Sequence, residues 1–218
     1  MAETRNCTPY TAFVFFFLFY LLVIDLCYQC RGENPDDITM YELTRSLYGV
    51  PSNWKPQLDP CTWDDVICSC NRVIAINLAQ SGISGSLSPA HGNLTSLTSL
   101  QLEFNNICGS LASANSPRYR RYTSKPRPLI PSQDINSVAR LLYFSAINTS
   151  LTGSIPDFLG SLSSLNILHL SYNQLIGPLL SSFAGSVLAK LFLDHQQSCD
   201  KIFDRINVIG AMPQLTMV

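Results

Sequence analysis

LQLEFNNICGSL, from Leu100 to Leu111, and LHLSYNQLIGPL, from Leu168 to Leu179, decide how this chain folds. In each, two leucines alternate before an asparagine, and a Leu/Ile-x-Gly-x-Leu segment follows. Alternation of this kind puts both leucines on one side of a short strand. The asparagine is placed to end the strand by hydrogen-bonding turn backbone that is otherwise buried and unpaired. The glycine tolerates a tight backbone on the opposite side, and the next apolar residue returns to the core. No such unit buries its own apolar face, so units must stack into a solenoid of about three or more.

The repeat extends in both directions at a period of 24 residues. Ile76, Ile83, Gly85 and Leu87 return as Leu100, Ile107, Gly109 and Leu111; Phe144, Leu151, Gly153 and Ile155 return as Leu168, Leu175, Gly177 and Leu179. The first coil has Ser81 where the asparagine is expected. A fifth coil is read in LAKLFLDHQ, where Leu188, Leu191 and Leu193 keep the apolar spacing, one residue out of phase, and Gln196 takes the asparagine position. Leu215 and Val218 have the spacing that opens a sixth coil, and the array ends there without a cap. Between the second and third coils the period breaks, with 44 residues from Gly109 to Gly153. The intervening Pro117, Pro126, Pro128 and Pro131 exclude a central strand. The run also gathers Arg118, Arg120, Arg121, Lys125 and Arg127 around Tyr119 and Tyr122. An exported chain rarely meets nucleic acid, so the run is read as a solvated loop rather than a phosphate-binding surface.

Export follows from the N-terminus. Ala12 to Ile24 is an uncharged run of 13 apolar residues behind Arg5. That length suits a signal-peptide core and falls short of the roughly 20 residues of a bilayer span. Cleavage is expected after Gln29; if the segment is retained, it provides membrane association as a signal anchor. The composition of the whole chain, 46% hydrophobic and 13% charged with a formal net charge of −1, fits one folded domain and gives no whole-chain field to attract nucleic acid. The chain has eight cysteines, and in an exported protein close pairs among them are read as disulfides. Cys61 and Cys68 are the expected pair, with Cys70 competing for Cys61. Asn93 (NLT) and Asn148 (NTS) match the N-glycosylation sequon on surfaces of the coil; Asn6 matches within the signal segment.

Ahead of the repeats, Asp36 or Asp37 is expected to cap a helix with Ile38, Tyr41 and Leu47 on one face, ending near Gly49 and Pro51. The helix and the cysteine link would cover the open edge of the first coil. The expected division is a signal peptide or anchor at 1–29, the cap at 30–71, coils one and two at 72–111, an irregular basic proline-rich loop at 112–137, and coils three to five with the start of a sixth at 138–218.

DPCTWDDVIC (Asp59 to Cys68), RVIAINLAQSGISGSLSP (Arg72 to Pro89) and LTGSIPDFLGSLSSLNILHLSYNQLIGPL (Leu151 to Leu179) resemble the cap motif, first repeat and glycine/Ile-Pro pattern of plant leucine-rich-repeat receptor-like kinases. FSAINTSLTGSIPDFLG, SSFAGS and INVIGAMPQL are similar to the ectodomain of the transmembrane-kinase (TMK) subfamily. The resemblance implies an α/β solenoid, a right-handed coil of plant-type 24-residue repeats with a helical, disulfide-linked cap. It implies a ligand-sensing or co-receptor ectodomain on the outer face of the plasma membrane, or a secreted form of one. The basic proline-rich stretch stands where that family has further repeats.

This sequence has no GxGxxG with a following lysine strand and no HRD or DFG, so no kinase chemistry is expected. His91, His169 and His195 are the three histidines, each isolated from the cysteines, so no metal is expected, and no cofactor either. His169 is the nearest candidate for catalysis, but no motif supplies it a partner, and it is read as a concave surface histidine. Strand positions Asn77, Gln101, Glu103, Tyr143, His169 and Tyr172 form the candidate recognition face for a peptide, a protein ligand or another receptor ectodomain. The alternative is a nonfunctional or regulatory truncated fragment of a membrane receptor serine/threonine kinase.

Overall fold

The computed structural model describes residues 34–87, 94–111, 140–197 and 206–216. In chain order the first elements are helix α1 (Asp37–Ser46), β1 (Leu47–Tyr48), a 3-10 turn (Pro60–Thr62), β2 (Val66–Ser69), β3 (Arg72–Asn77) and β4 (Ser84–Ser86). Then come β5 (Ser99–Gln101), β6 (Asn106–Ser110), β7 (Tyr143–Ser145), β8 (Leu151–Ser154) and the single-turn helix α2 (Phe158–Ser161). The last are β9 (Ile167–His169), β10 (Gln174–Ile176), a 3-10 turn (Ser181–Gly185), β11 (Lys190–Phe192) and the short helix α3 (Ile206–Gly210).

The strands form two sheets, ordered β11-β9-β7-β5-β3-β2 and β1-β4-β6-β8-β10, the two sides of a β-solenoid. On the first side the register aligns Ile76, Leu100, Phe144, Leu168 and Leu191 in one ladder. All five are buried, as are Leu78, Leu102, Ala146, Leu170 and Leu193 two residues on. Each such leucine contributes roughly 1.5–3 kcal/mol on burial, and no coil can obtain this alone.

The asparagines act as the repeat predicts. The Asn105 amide donates to the carbonyls of Leu78 (2.6 Å) and Leu102 (2.9 Å) and accepts from the Ile83 N–H (2.9 Å). Asn173 repeats this with Ala146 (2.7 Å), Leu170 (2.9 Å) and the Leu151 N–H (2.9 Å). Gln196 does the same one coil later, donating to Leu170 (2.8 Å) and Leu193 (3.1 Å) and accepting from the Leu175 N–H (3.0 Å). The residue before this position has a left-handed backbone in every coil: Gln80, Phe104, Asn148, Tyr172 and His195, with φ between 51° and 58°.

The joint between coils two and three is closed in the structure. Ser99 pairs with Tyr143 and Leu100 with Phe144 in one sheet, and Gly109 pairs with Leu151 in the other. The two coils stack as direct neighbours despite the 44-residue spacing, because their core ladders remain in register. The basic proline-rich loop at 112–137 lies outside the described residues, as do Asn93 and the whole 1–29 segment. Among the described residues no helix is long and apolar enough to cross a membrane.

The cap differs from expectation in two respects. The face of α1 that packs inward is Thr39, Met40 and Leu43; Ile38 is 68% exposed and Tyr41 is at the surface, while Leu47 has left the helix for β1. Asp36 stands at the N-cap position but its side chain does not cap the helix. It is buried and receives both Arg72 Nε (3.0 Å) and Nη2 (2.9 Å), together with the Val73 N–H (2.8 Å). A bidentate, charge-assisted contact is stronger than an ordinary cap bond, so the carboxylate serves the tertiary contact.

Strands cover the first coil on both sides. β2 runs antiparallel along β3, and β1 runs antiparallel along β4, so neither strand of the first coil is left as a sheet edge. Gly85 (φ +110°) allows this approach: a Cβ there would lie 2.3 Å from the Ser46 carbonyl oxygen. Cys61 and Cys68 are joined in a disulfide, with Cα atoms 5.5 Å apart, and Cys70 is free. Trp54 and Trp63 are buried in the cap and pack on each other, ring centroids 5.1 Å apart.

At the other end the backbone step between coils is regular. The N–H of Thr98 bonds to Ile74, Leu142 to Thr98, Asn166 to Leu142, Ala189 to Asn166 and Thr216 to Ala189. Thr216 therefore takes the next rung, where a sixth coil was expected to open. Val208 and Met212 join the core from the α3 region.

Candidate functional site: the concave sheet

The outward positions of the larger sheet alternate with the buried ladder, so their side chains stand on one continuous face. One ladder is Asn77, Gln101, Ser145, His169 and Phe192; the ladder beside it is Ala75, Ser99, Tyr143, Ile167 and Lys190. Of the six expected recognition residues, Asn77, Gln101 and His169 share the first ladder and Tyr143 stands in the second. Glu103 follows two residues after Gln101. Tyr172 lies further on, at the left-handed bend, with 47% of its surface exposed. The six are therefore spread over four rows instead of forming one.

Their local contacts differ. Gln101 Nε2 donates to Ser99 Oγ at 3.4 Å, and Asn77 Oδ1 accepts from the Ala79 N–H at 3.4 Å. The His169 ring lies against Phe192, centroids 4.4 Å apart, and Tyr172 stacks on His195 at 4.3 Å with planes 10° apart. Asp194 joins these, accepting from Ser171 Oγ and meeting His195 Nδ1 at 2.5 Å. Burial, opposed by the charges of Asp194 and Glu103, holds the His169 imidazolium below the usual histidine range. The hydrogen bond from Ser171, opposed by partial burial and assisted by His195, keeps the Asp194 carboxyl below its ordinary value.

Two polar groups on this face have no hydrogen-bond partner among the described residues although their atoms are buried: Glu103 Oε2 and Ser145 Oγ. Sequence reasoning passed over Ser145, Phe104, Phe192, Asp194 and His195. Phe104 and His195 were accessible to it, since they precede the asparagine position just as Tyr172 does. Ser145 was not, because its burial depends on the side chains of neighbouring coils.

The arrangement offers polar and aromatic area without a nucleophile-base-orienter set. His169 faces an aromatic ring, and among the described residues none gives it a hydrogen bond that would orient it as a base. Among the described residues no three His, Cys, Asp or Glu side chains converge as a metal site. Asn148 is exposed at its left-handed bend, with Thr149 and Ser150 completing the sequon.

No protein-family model matches the chain. It is 33% identical over 92% of its length to receptor-like kinase TMK2 of Arabidopsis thaliana, spanning 26% of that protein. Among solved structures it superposes on PEPR1-AtPEP1 with a TM-score of 0.64 and 29% identity, over 84% of this chain and 24% of that one. It shares the fold of the Arabidopsis receptor kinase HAESA, solved in complex with the peptide hormone IDA and the co-receptor SERK1. That match has a TM-score of 0.53 and 20% identity, over 85% of this chain and 33% of that one. The chain thus spans about a quarter of the length of TMK2 and PEPR1.

Proposed function

This chain is a leucine-rich-repeat ectodomain of the plant receptor-kinase type, close to TMK, and from that premise we propose that it is an extracellular recognition module without catalysis of its own. Its partner is a peptide or another receptor ectodomain, met on the concave sheet. The observation that carries this reading is the continuous outward face over five parallel strands, polar with aromatic area and free of a reactive set. The peptide and co-receptor complex of HAESA supports the choice of partner class.

The reading includes export under the 1–29 segment, or attachment to the membrane through it if it is retained, and glycans at Asn93 and Asn148. Expression in a plant secretory host should release a monodisperse monomer into the medium, its N-terminus following Gln29. Its mass should fall on treatment with an amidase that removes N-glycans, and by less for Asn148→Gln. Binding is tested with random peptides displayed on phage and selected against the secreted chain. Gln101→Arg, in the middle of the concave face, should abolish capture of the selected peptides, whereas Ser110→Arg on the opposite sheet should leave it intact. Equal loss from both, or aggregation of the secreted chain, would sink the proposal.

A further inference from the structure

Among the described residues, the concave face contains an acceptor without a donor, and the identity of the missing donor follows from what surrounds it. The Leu102 N–H bonds to the Ser145 carbonyl (2.9 Å) and the Ala146 N–H to that of His169 (2.9 Å), which draws Glu103, Ser145 and His169 together across three adjacent coils. Leu102 and Ala146 point into the core, so Glu103 and Ser145 stand on the outward side. Ser145 is fully covered by its neighbours, and among the described residues its Oγ has no partner; neither has the buried Oε2 of Glu103. Buried polar atoms are paired in the great majority of cases, and an unpaired carboxylate oxygen is the costlier kind of exception.

Among the described residues, the charged groups of this face do not supply a counter-ion. Asp194 is already engaged by Ser171 and His195. His169 is held toward its neutral form by burial, against the pull of both carboxylates. Lys190 stands in the other ladder, at the fifth coil. Tyr143, the His169–Phe192 pair and the Tyr172–His195 stack add aromatic faces on the same side, which favour a cation over an anion.

We infer that Glu103 and Ser145 form the seat for one basic side chain, arginine or lysine, of a peptide lying across coils two to five. The inference rests on the concave-face reading above and deepens it by naming the residue type that the face selects. Glu103 is only half-buried, so a guanidinium or ammonium group draws its carboxylate outward into a charge-assisted pair, and this movement opens the covered Ser145 Oγ to a second N–H.

Selection of displayed random peptides against the wild-type chain should enrich sequences sharing an arginine or lysine at one place. Replacing that residue by glutamine in a synthetic peptide should weaken Kd about 30-fold, as loss of one member of a buried charge pair does at interfaces. Glu103→Gln should weaken the basic peptide by the same factor. The two changes together should cost no more than either alone, within about twofold, because both remove one interaction. Ser145→Ala, which removes an unpaired hydroxyl, should leave the melting temperature unchanged or raise it while weakening the basic peptide; if Glu103→Gln fails to fold, this variant gives the answer. Peptides that bind the concave face without a basic residue, or that are indifferent to both variants, would overturn the seat and leave concave recognition standing. Failure to enrich any peptide would overturn both.

Discussion

Asn173→Ala removes one side-chain amide and, with it, the link between coils three and four. The amide donates to the Ala146, Leu170 and Ser171 carbonyls and accepts from the N–H groups of Thr149 (3.2 Å) and Leu151 (2.9 Å). The carbonyls are not stranded by the change. Ala146 keeps the Thr149 hydroxyl, Leu170 keeps Gln196 Nε2, and Ser171 keeps the Asn148 N–H. The loss falls on the two N–H groups, which are buried and lose the oxygen that both share. At roughly 1–3 kcal/mol for each buried group deprived of its partner, the variant should be destabilised by about 2–6 kcal/mol.

For a chain of this size that corresponds to a melting temperature lower by about 5–20 °C. Stability in a stacked array is local, so hydrogen exchange should accelerate at the amides of β8 to β11 while those of β2 and β3 keep their protection. Thermal unfolding followed by circular dichroism, with exchange read by mass spectrometry, measures both. Ser81→Ala is the control: Ser81 holds the same place in the first coil but is exposed and, among the described residues, bonds only to Ala79 (3.2 Å), so its loss should stay within about 0.5 kcal/mol. Equal effects from the two substitutions, or a change below about 1 kcal/mol for Asn173→Ala, would refute the idea that the amide ladder ties the coils.

Gly85→Ala should detach the cap from the second sheet, since its Cβ meets Ser46 O in a left-handed backbone; a loss of about 3 kcal/mol or more and rapid exchange at Leu47 and Tyr48 would show it. Replacing Cys61 and Cys68 by serine releases a short loop and should cost about 2–3 kcal/mol, seen as an earlier urea midpoint that reduction of the wild type reproduces. His169 has a folded pKa below its unfolded one, so its contribution is complete above about pH 6.5 and declines as pH falls through that value toward the folded pKa. Melting temperatures of His169→Gln should accordingly depend less on pH between about 7 and 5 than those of the wild type, and a parallel dependence would count against burial as the cause.

Ile38 and Tyr41 show where reading the sequence stopped working. Their spacing marks a helical face, yet Thr39, Met40 and Leu43 pack inward because the cap helix is oriented by β1 and by the Asp36–Arg72 contact, partners distant in sequence. The candidate site fared similarly. The 24-residue pattern identifies which residues face outward, so Asn77, Gln101 and His169 were legible as neighbours. Burial on that face depends on side chains from adjacent coils, which a one-dimensional pattern does not contain.

The stacking of the coils was determined by the sequence itself, because every unit carries inward apolar residues, coils two, four and five carry Asn105, Asn173 and Gln196 at the turn, and coils one to four carry the glycine, so local geometry repeats wherever those residues repeat. Closure of the 44-residue joint, the two-strand cover over the first coil, and the unpaired Glu103 and Ser145 were decided only by tertiary structure. These features arise from contacts between coils, where register and packing set the neighbours of each atom and sequence distance does not.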